Sequence, residues 1–156
     1  MYIDSRTLFP VISSFRGNYS FLSNFYIANC RIDDRVYPSS EHAYMSFKSD
    51  DIEWKNICTQ RHISPGKIKR LSKSVDLPSN WETTGKIYAM QAAVFAKFTQ
   101  NEDLKKRLMD TGDAFIVEEN DWKDTFWGVC SKSRKGHNYL GGILMTLREN
   151  FRKEGN

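Results

Sequence analysis

The chain has 156 residues, 40% hydrophobic and 27% charged, the balance of a globular protein with a true core rather than a disordered tail. Lys and Arg number 23 against 19 Asp and Glu, and the resulting +4 favours anionic partners while falling short of a dedicated nucleic-acid binder. No apolar run reaches membrane-spanning length, the first ten residues lack a basic-then-apolar leader, and three scattered cysteines make no disulfide framework, so the expectation is one cytoplasmic domain over 1–156 with no membrane partner.

In chain order, Tyr19 to Tyr26 is aromatic-rich, and 27–32, a turn at Asp33-Asp34 and 35–38 together predict a short hairpin. Pro38 then stops the strand, and Ser39-Ser40 supplies a cap for a helix starting near Glu41. Ser64-Pro65 predicts a basic helix running through Ser72, with proline in the first turn, where no N–H donor is needed. Ser79 and Glu82 form a capping-box pattern ahead of a longer helix. There Ile87, Met90, Gln91, Val94 and Phe98 follow the three–four rhythm of one buried face. Asn101 is placed to cap the next helix, with Glu102 and Asp103 in its first turn, Leu104 and Leu108 inward and Gly112 at its end. Residues 114–118 predict a short strand, and a helix from about Tyr139 carries Leu140, Ile143, Leu144, Leu147 and Phe151 as its apolar stripe. Helices dominate and strands are few and local. The expected fold class is α+β, mostly helical with a small sheet.

Three segments carry more chemistry than packing requires. On a helix from Ser40, Glu41, Tyr44 or Met45, and Lys48 share a face, which sets a carboxylate beside an aromatic and a lysine. Such a carboxylate is either solvated surface, favoured at a helix start by the dipole, or a catalytic acid facing a cleft. In the second segment Trp122, Asp124, Trp127 and Gly128 form either a core corner with a turn-capping acid or a stacking wall with a carboxylate in reach. The third is the cation run Lys67, Lys69, Arg70 and Lys73, a wet helix face or a phosphate clamp. Cys58 and His62 stand four apart, but without a second ligand pair they define no metal site, and burial is the expected role of all three thiols.

Taken in order, these segments resemble the NADAR family of YbiA-like N-glycosidases from about Phe15 to Arg148. Phe21 to Phe25 resembles the LSNF element; Pro38, Glu41, His42 and Lys48 match P-x-x-E-H-x-x-Q-x-x-K; Pro65, Lys69 and Arg70 resemble the basic segment. Trp81 and Met90 fit a tryptophan-to-methionine stretch, Lys97-Phe98 with Gln100-Asn101 fits KF-x-QN, and Thr111-Gly112 fits a TG turn. Asp124, Trp127 and Gly128 match D-x-x-W-G, and Asn138, Leu140, Gly141, Leu144, Met145 and Arg148 match N-x-LG-x-x-LM-x-x-R. Two departures stand out: Met45 replaces the usual glutamine, and Ser72-Lys73 replaces a Gly-Arg pair.

The resemblance implies hydrolysis of N-glycosidic bonds of ribose phosphates or ADP-ribose conjugates, either riboflavin-pathway intermediates or ADP-ribosyl-guanine in nucleic acid, with ADP-ribosylated DNA as one partner. It implies Glu41 and Asp124 as catalytic carboxylates. Asn24, Phe25, Tyr44, Lys48, Lys69, Arg70, Trp122, Trp127, Gly128 and Asn138 are the implied substrate-binding residues. The chemistry suits these residue types, since C1'–N cleavage develops an oxocarbenium-like ribose that a carboxylate stabilises, and no metal or cofactor is required. The competing readings are a non-catalytic nucleotide or nucleic-acid binding module and a phosphodiesterase. Carboxylates in an anion pocket disfavour the first, and the lack of a visible metal-carboxylate cluster disfavours the second.

Overall fold

A computed structural model describes residues 1–3 and 9–155, with only the backbone described at 2 and 3. Residues 4–8 and 156, which the expected 1–156 domain includes, lie outside the described residues. The fold class is α+β, six α-helices with short strands among the described residues. The chain forms two compact units, Met1–Ser23 with Lys105–Asn156 and, between them in sequence, Asn24–Leu104.

The chain opens with β1 (Tyr2–Ile3) and β2 (Pro10–Ile12), paired antiparallel, and a 3-10 turn over Gly17–Leu22. The hairpin follows as expected, β3 (Ile27–Ile32) and β4 (Arg35–Ser39) turning at Asp33, whose φ of 52° lies in the left-handed region that aspartate tolerates better than most residues. Next come α1 (Ser40–Ser46), α2 (Ile52–Cys58), α3 (Pro65–Leu71) and α4 (Lys86–Thr99), and then α5 (Glu102–Met109), which runs across the unit boundary. The chain returns through β5 (Phe115–Ile116), β6 (Glu119–Asn120) and β7 (Val129–Cys130) to α6 (Tyr139–Glu154). β5 adds parallel to β2, and β6 pairs parallel with β7.

In the Asn24–Leu104 unit every residue of α1 is buried, and the helix packs on α2, α3, α4 and both hairpin strands. Ser39 caps it by accepting from the His42 N–H at 3.2 Å. The His42 ring is fully buried, and its Nε2 donates to the Ile63 carbonyl at 2.8 Å, so Nδ1 takes the Ser39 hydroxyl proton as acceptor, also at 2.8 Å. Burial lowers the His42 pKa and the Ile63 bond opposes it. His42 is thus a neutral structural residue. Ser64 caps α3 with proline at its first position, as expected, and Ile68 is that helix's one buried side chain.

The expected Ser79–Glu82 capping box is absent. Instead Trp81–Gly85 forms a π-turn, in which the Asn80 carbonyl accepts from the N–H groups of Thr83, Thr84 and Gly85 at 2.9–3.2 Å. The buried face of α4 also differs from the periodic reading. Gln91 is exposed and Ile87 only half-buried, while Ala89, Met90, Ala93, Val94, Ala96, Lys97 and Phe98 are buried. Small alanines let α4 lie close to α1, which a search for large apolar residues overlooks. Asn101 donates to the Lys97 and Asn29 carbonyls, and Gln100 bonds both the N–H and the carbonyl of Arg31, so the QN pair ties the end of α4 to β3.

In the other unit α6 buries Leu140, Leu144, Leu147 and Phe151, with Ile143 half-buried. The buried Arg148 guanidinium donates to Thr111 Oγ1 at 2.8 Å and to the Ala114 carbonyl at 2.9 Å, locking the turn in which Gly112 takes φ 57°. The strand expected over 114–118 pairs only at Phe115–Ile116.

Lys97 is fully buried, near the Tyr26 ring (5.5 Å) and the Phe98 ring (5.1 Å). Burial pushes it down to about 7, with the Cys30 thiol opposing, while burial pushes Cys30 up to about 12. The folded chain releases this proton near 7 and the unfolded chain only near 10.5. Stability therefore rises with pH between these values and is flat below 7 as far as this group is concerned. Urea denaturation should show the wild type gaining about 2 kcal/mol from pH 7 to pH 9 relative to Lys97→Met. Parallel curves for the two proteins would exclude a proton released on burial.

Candidate active site

The structure brings together Asn24, Phe25, Glu41, Tyr44, Lys48, Lys69 and Arg70, all within the Asn24–Leu104 unit. Glu41 stands in the first turn of α1 and is 4% exposed. Its N–H, one of the helix-start donors without an intrahelical partner, bonds the Asn24 carbonyl at 3.0 Å. Lys48 follows just beyond the helix, half-buried, with Nζ 3.1 Å from Ser72 Oγ and 5.9 Å from the centre of the Trp81 ring. Burial pushes the Lys48 ammonium below its ordinary value; Glu41 opposes that, Lys69 adds to it and Glu82 opposes it again. These four side chains therefore share one electrostatic neighbourhood.

Tyr44 and Trp81 pack as a tilted ring pair 5.5 Å apart, both buried. At the rim Phe25 is 46% exposed, with Lys69 Nζ 5.9 Å from its ring centre. Gly66 lies beside both Phe25 and Arg70, since a Cβ there would be 3.7 Å from each side chain. The site is thus a buried carboxylate and a half-buried ammonium, walled by two aromatic rings and rimmed by exposed cations.

Two residues here were not singled out as site residues. Trp81 reaches the Lys48–Tyr44 wall through the π-turn, a geometry that no local sequence pattern announces. Ser72, one of the two family departures, is 2% exposed and receives the Lys48 ammonium while donating to the Lys69 carbonyl. Met45, the other departure, is 1% exposed; its carbonyl accepts from the Trp54 indole N–H at 2.9 Å.

The remaining expected residues lie in the other unit. Asp124 Oδ1 accepts from the N–H groups of Phe126 (3.0 Å) and Trp127 (2.9 Å), while Asn120 grips the Asp124 backbone from both sides. Gly128 lies so close to Glu118 that a Cβ would come 2.1 Å from its carbonyl oxygen. Asn138, at φ 54°, donates to the Ile116 carbonyl and accepts from the Glu118 N–H. Trp127 is half-buried edge-on to Phe126. Trp122 is 59% exposed and borders a cavity of about 450 Å³ with Phe15, Arg16, Glu118 and Asp121. Cys58 is buried and pushed up to about 12 by burial, His62 is exposed, and no cluster able to hold a metal occurs among the described residues. No helix among them is long and apolar enough to cross a membrane.

The mixed helical fold with short strands agrees with the comparisons to known proteins. The family model for the NADAR domain matches residues 13–152, and the chain belongs to that family. It is similar to N-glycosidase YbiA of Escherichia coli, 34% identical over 134 residues, covering 85% of this chain and 81% of that protein. N-glycosidase Npun_R5314 of Nostoc punctiforme is 32% identical over 138 residues, covering 86% of each. The riboflavin biosynthesis protein VVA0006 of Vibrio vulnificus is 33% identical over 140 residues, and the chain spans 36% of its length. The NMR structure of E. coli YbiA superposes with a TM-score of 0.80 at 30% identity, covering 99% of this chain and 95% of that one.

The Asp124 bonds generate a stability expectation. Asp124→Ala removes the acceptor of two backbone N–H groups and should cost about 1–2 kcal/mol, whereas Asp124→Asn keeps Oδ1 and should melt close to the wild type. An Asn variant that melts normally but has lost turnover would make Asp124 a reacting acid instead of a turn-holder.

Proposed function

We propose that this chain is a hydrolase that cleaves the C1'–N bond of a phosphate-bearing riboside, with Glu41 as its catalytic carboxylate. The observation that carries the reading is a carboxylate 4% exposed in the first turn of α1, electrostatically coupled to the half-buried Lys48, which lies over the Trp81 ring. Relatives named N-glycosidases support it.

In this reading the C1'–N bond breaks with its electron pair passing to the base nitrogen. Water supplies the hydroxyl to C1' and, in net, the proton to that nitrogen. The ionised Glu41 stabilises the cationic ribose or takes a proton from the attacking water, and the Lys48 ammonium favours that ionised form. Lys69 and Arg70 hold the phosphate, the arginine by its planar fork, and the exposed Phe25 ring offers the base a stacking surface. The reading draws on residues 24–104 alone. Asp124 is given no reacting role, because one of its oxygens already serves two backbone donors.

The substrate class is either a ribose phosphate of the riboflavin pathway, in line with the Vibrio relative's name, or an ADP-ribosyl-guanine conjugate, free or in DNA. Chromatography after incubation with each separates the two: intact base plus ribose 5-phosphate, or intact base plus ADP-ribose. Glu41→Gln keeps shape and removes charge. Its kcat should fall by at least about 10², the lower end for general acid–base groups, with normal melting and product binding. A melting loss with turnover per folded molecule unchanged would remove Glu41 from the mechanism.

A further inference from the structure

We propose that Asn24 is a positioning residue for Glu41, a role that rests on the reading of Glu41 given above. Asn24 is 8% exposed, and its carbonyl and both ends of its side-chain amide are engaged inside its own unit. Its carbonyl accepts from the Glu41 N–H at 3.0 Å. Its Oδ1 accepts from the Ser40 hydroxyl at 2.8 Å, and its Nδ2 donates to Met90 Sδ at 3.2 Å. A thioether can only accept, so the amide has one orientation, with NH2 on the α4 side and oxygen on the α1 side.

Asn24 therefore joins three things at once: the backbone at Glu41, the residue before it, and the middle of α4. Ser40 is fully buried and Met90 is 2% exposed, so neither partner is free to shift toward water. The side chain needs one acceptor, one donor and this length. Aspartate lacks the donor for Met90, serine lacks the reach, and alanine leaves the Ser40 hydroxyl without its side-chain acceptor. The family resemblance implies Asn24 as a substrate-binding residue. Its bonds instead make it act on the substrate through Glu41, by fixing the first turn of α1 against α4.

The test is a double-mutant cycle on kcat with the substrate that the wild type cleaves, product binding being followed with ribose 5-phosphate. Asn24→Ala should lower kcat about 10- to 100-fold, the cost of displacing a reacting group by a fraction of an ångström to an ångström, with little change in product affinity. In the Glu41→Gln background the same substitution should cost almost nothing further, because the group it positions no longer reacts. Asn24→Asp sets a second negative charge at the helix start and should move the acidic limb of the kcat profile to higher pH, a shift that a purely structural role would not produce. If Asn24→Ala fails to fold, Met90→Leu removes only the amide's thioether acceptor and must show the same non-additivity. Full additivity, an effect on KM alone, or an unmoved acidic limb would overturn the proposal. A Glu41→Gln protein with wild-type turnover would instead overturn the reading of Glu41, before any Asn24 variant is compared.

Discussion

A carboxylate 4% exposed is costly to desolvate, and the Asn24–Leu104 unit is organised around holding one in place. The device is a seven-residue helix buried on every side. So short a helix has little stability of its own, since nucleation costs more than two turns of hydrogen bonds return. Its ends are therefore held from outside. Ser39 and His42 close the N-terminus and reach Ile63, Asn24 takes the Glu41 N–H, and the Trp54 indole takes the Met45 carbonyl. Lys48, leaving the last turn half-buried and bonded to Ser72, is electrostatically coupled to the Glu41 carboxylate.

Many polar residues of the family pattern hold backbone. Gln100 and Asn101 pin the end of α4 to β3, Arg148 locks the Thr111 turn, and Asn138 bridges the start of α6 to Ile116 and Glu118. Around Asp124 the chain takes left-handed conformations at Lys123, Arg134 and Asn138, which side-chain bonds from Asn120, Asp124 and Asn138 help to hold. A polar residue in a motif is thus ambiguous between chemistry and architecture, and only its bonding decides. In the proposed reading Glu41, Lys48, Lys69 and Arg70 do the chemistry, while the bonds of Asp124 and Asn138 and the close approach at Gly128 all involve backbone.

The hairpin, the Ser39 and Ser64 caps and the stripe of α6 were readable because each rests on a local rule: turn residues, a serine before a helix, or a large-apolar rhythm. The same rules missed α2, whose Asp51 cap accepts from the Trp54 N–H at 2.8 Å. They also misplaced the start of α4, where a π-turn replaces the expected box. Lys97 shows the limit most clearly. A lysine in helical rhythm reads as solvent-facing, and only the packing of its own helix, α4, on β3 buries it. At the site, Glu41, Lys48 and the Lys69-Arg70 pair were legible from motif and charge. Trp81 and Ser72 were not, because contacts across 33 and 24 residues of chain bring them to Lys48.

The most direct test is a crystal structure of Glu41→Gln soaked with the intact riboside that the wild type cleaves. The account predicts an uncleaved substrate with C1' in contact with the residue 41 side chain, at about 3–3.5 Å, and its phosphate against Lys69 or Arg70. A substrate seated with C1' away from residue 41, whose side chain then touches only protein, would contradict it.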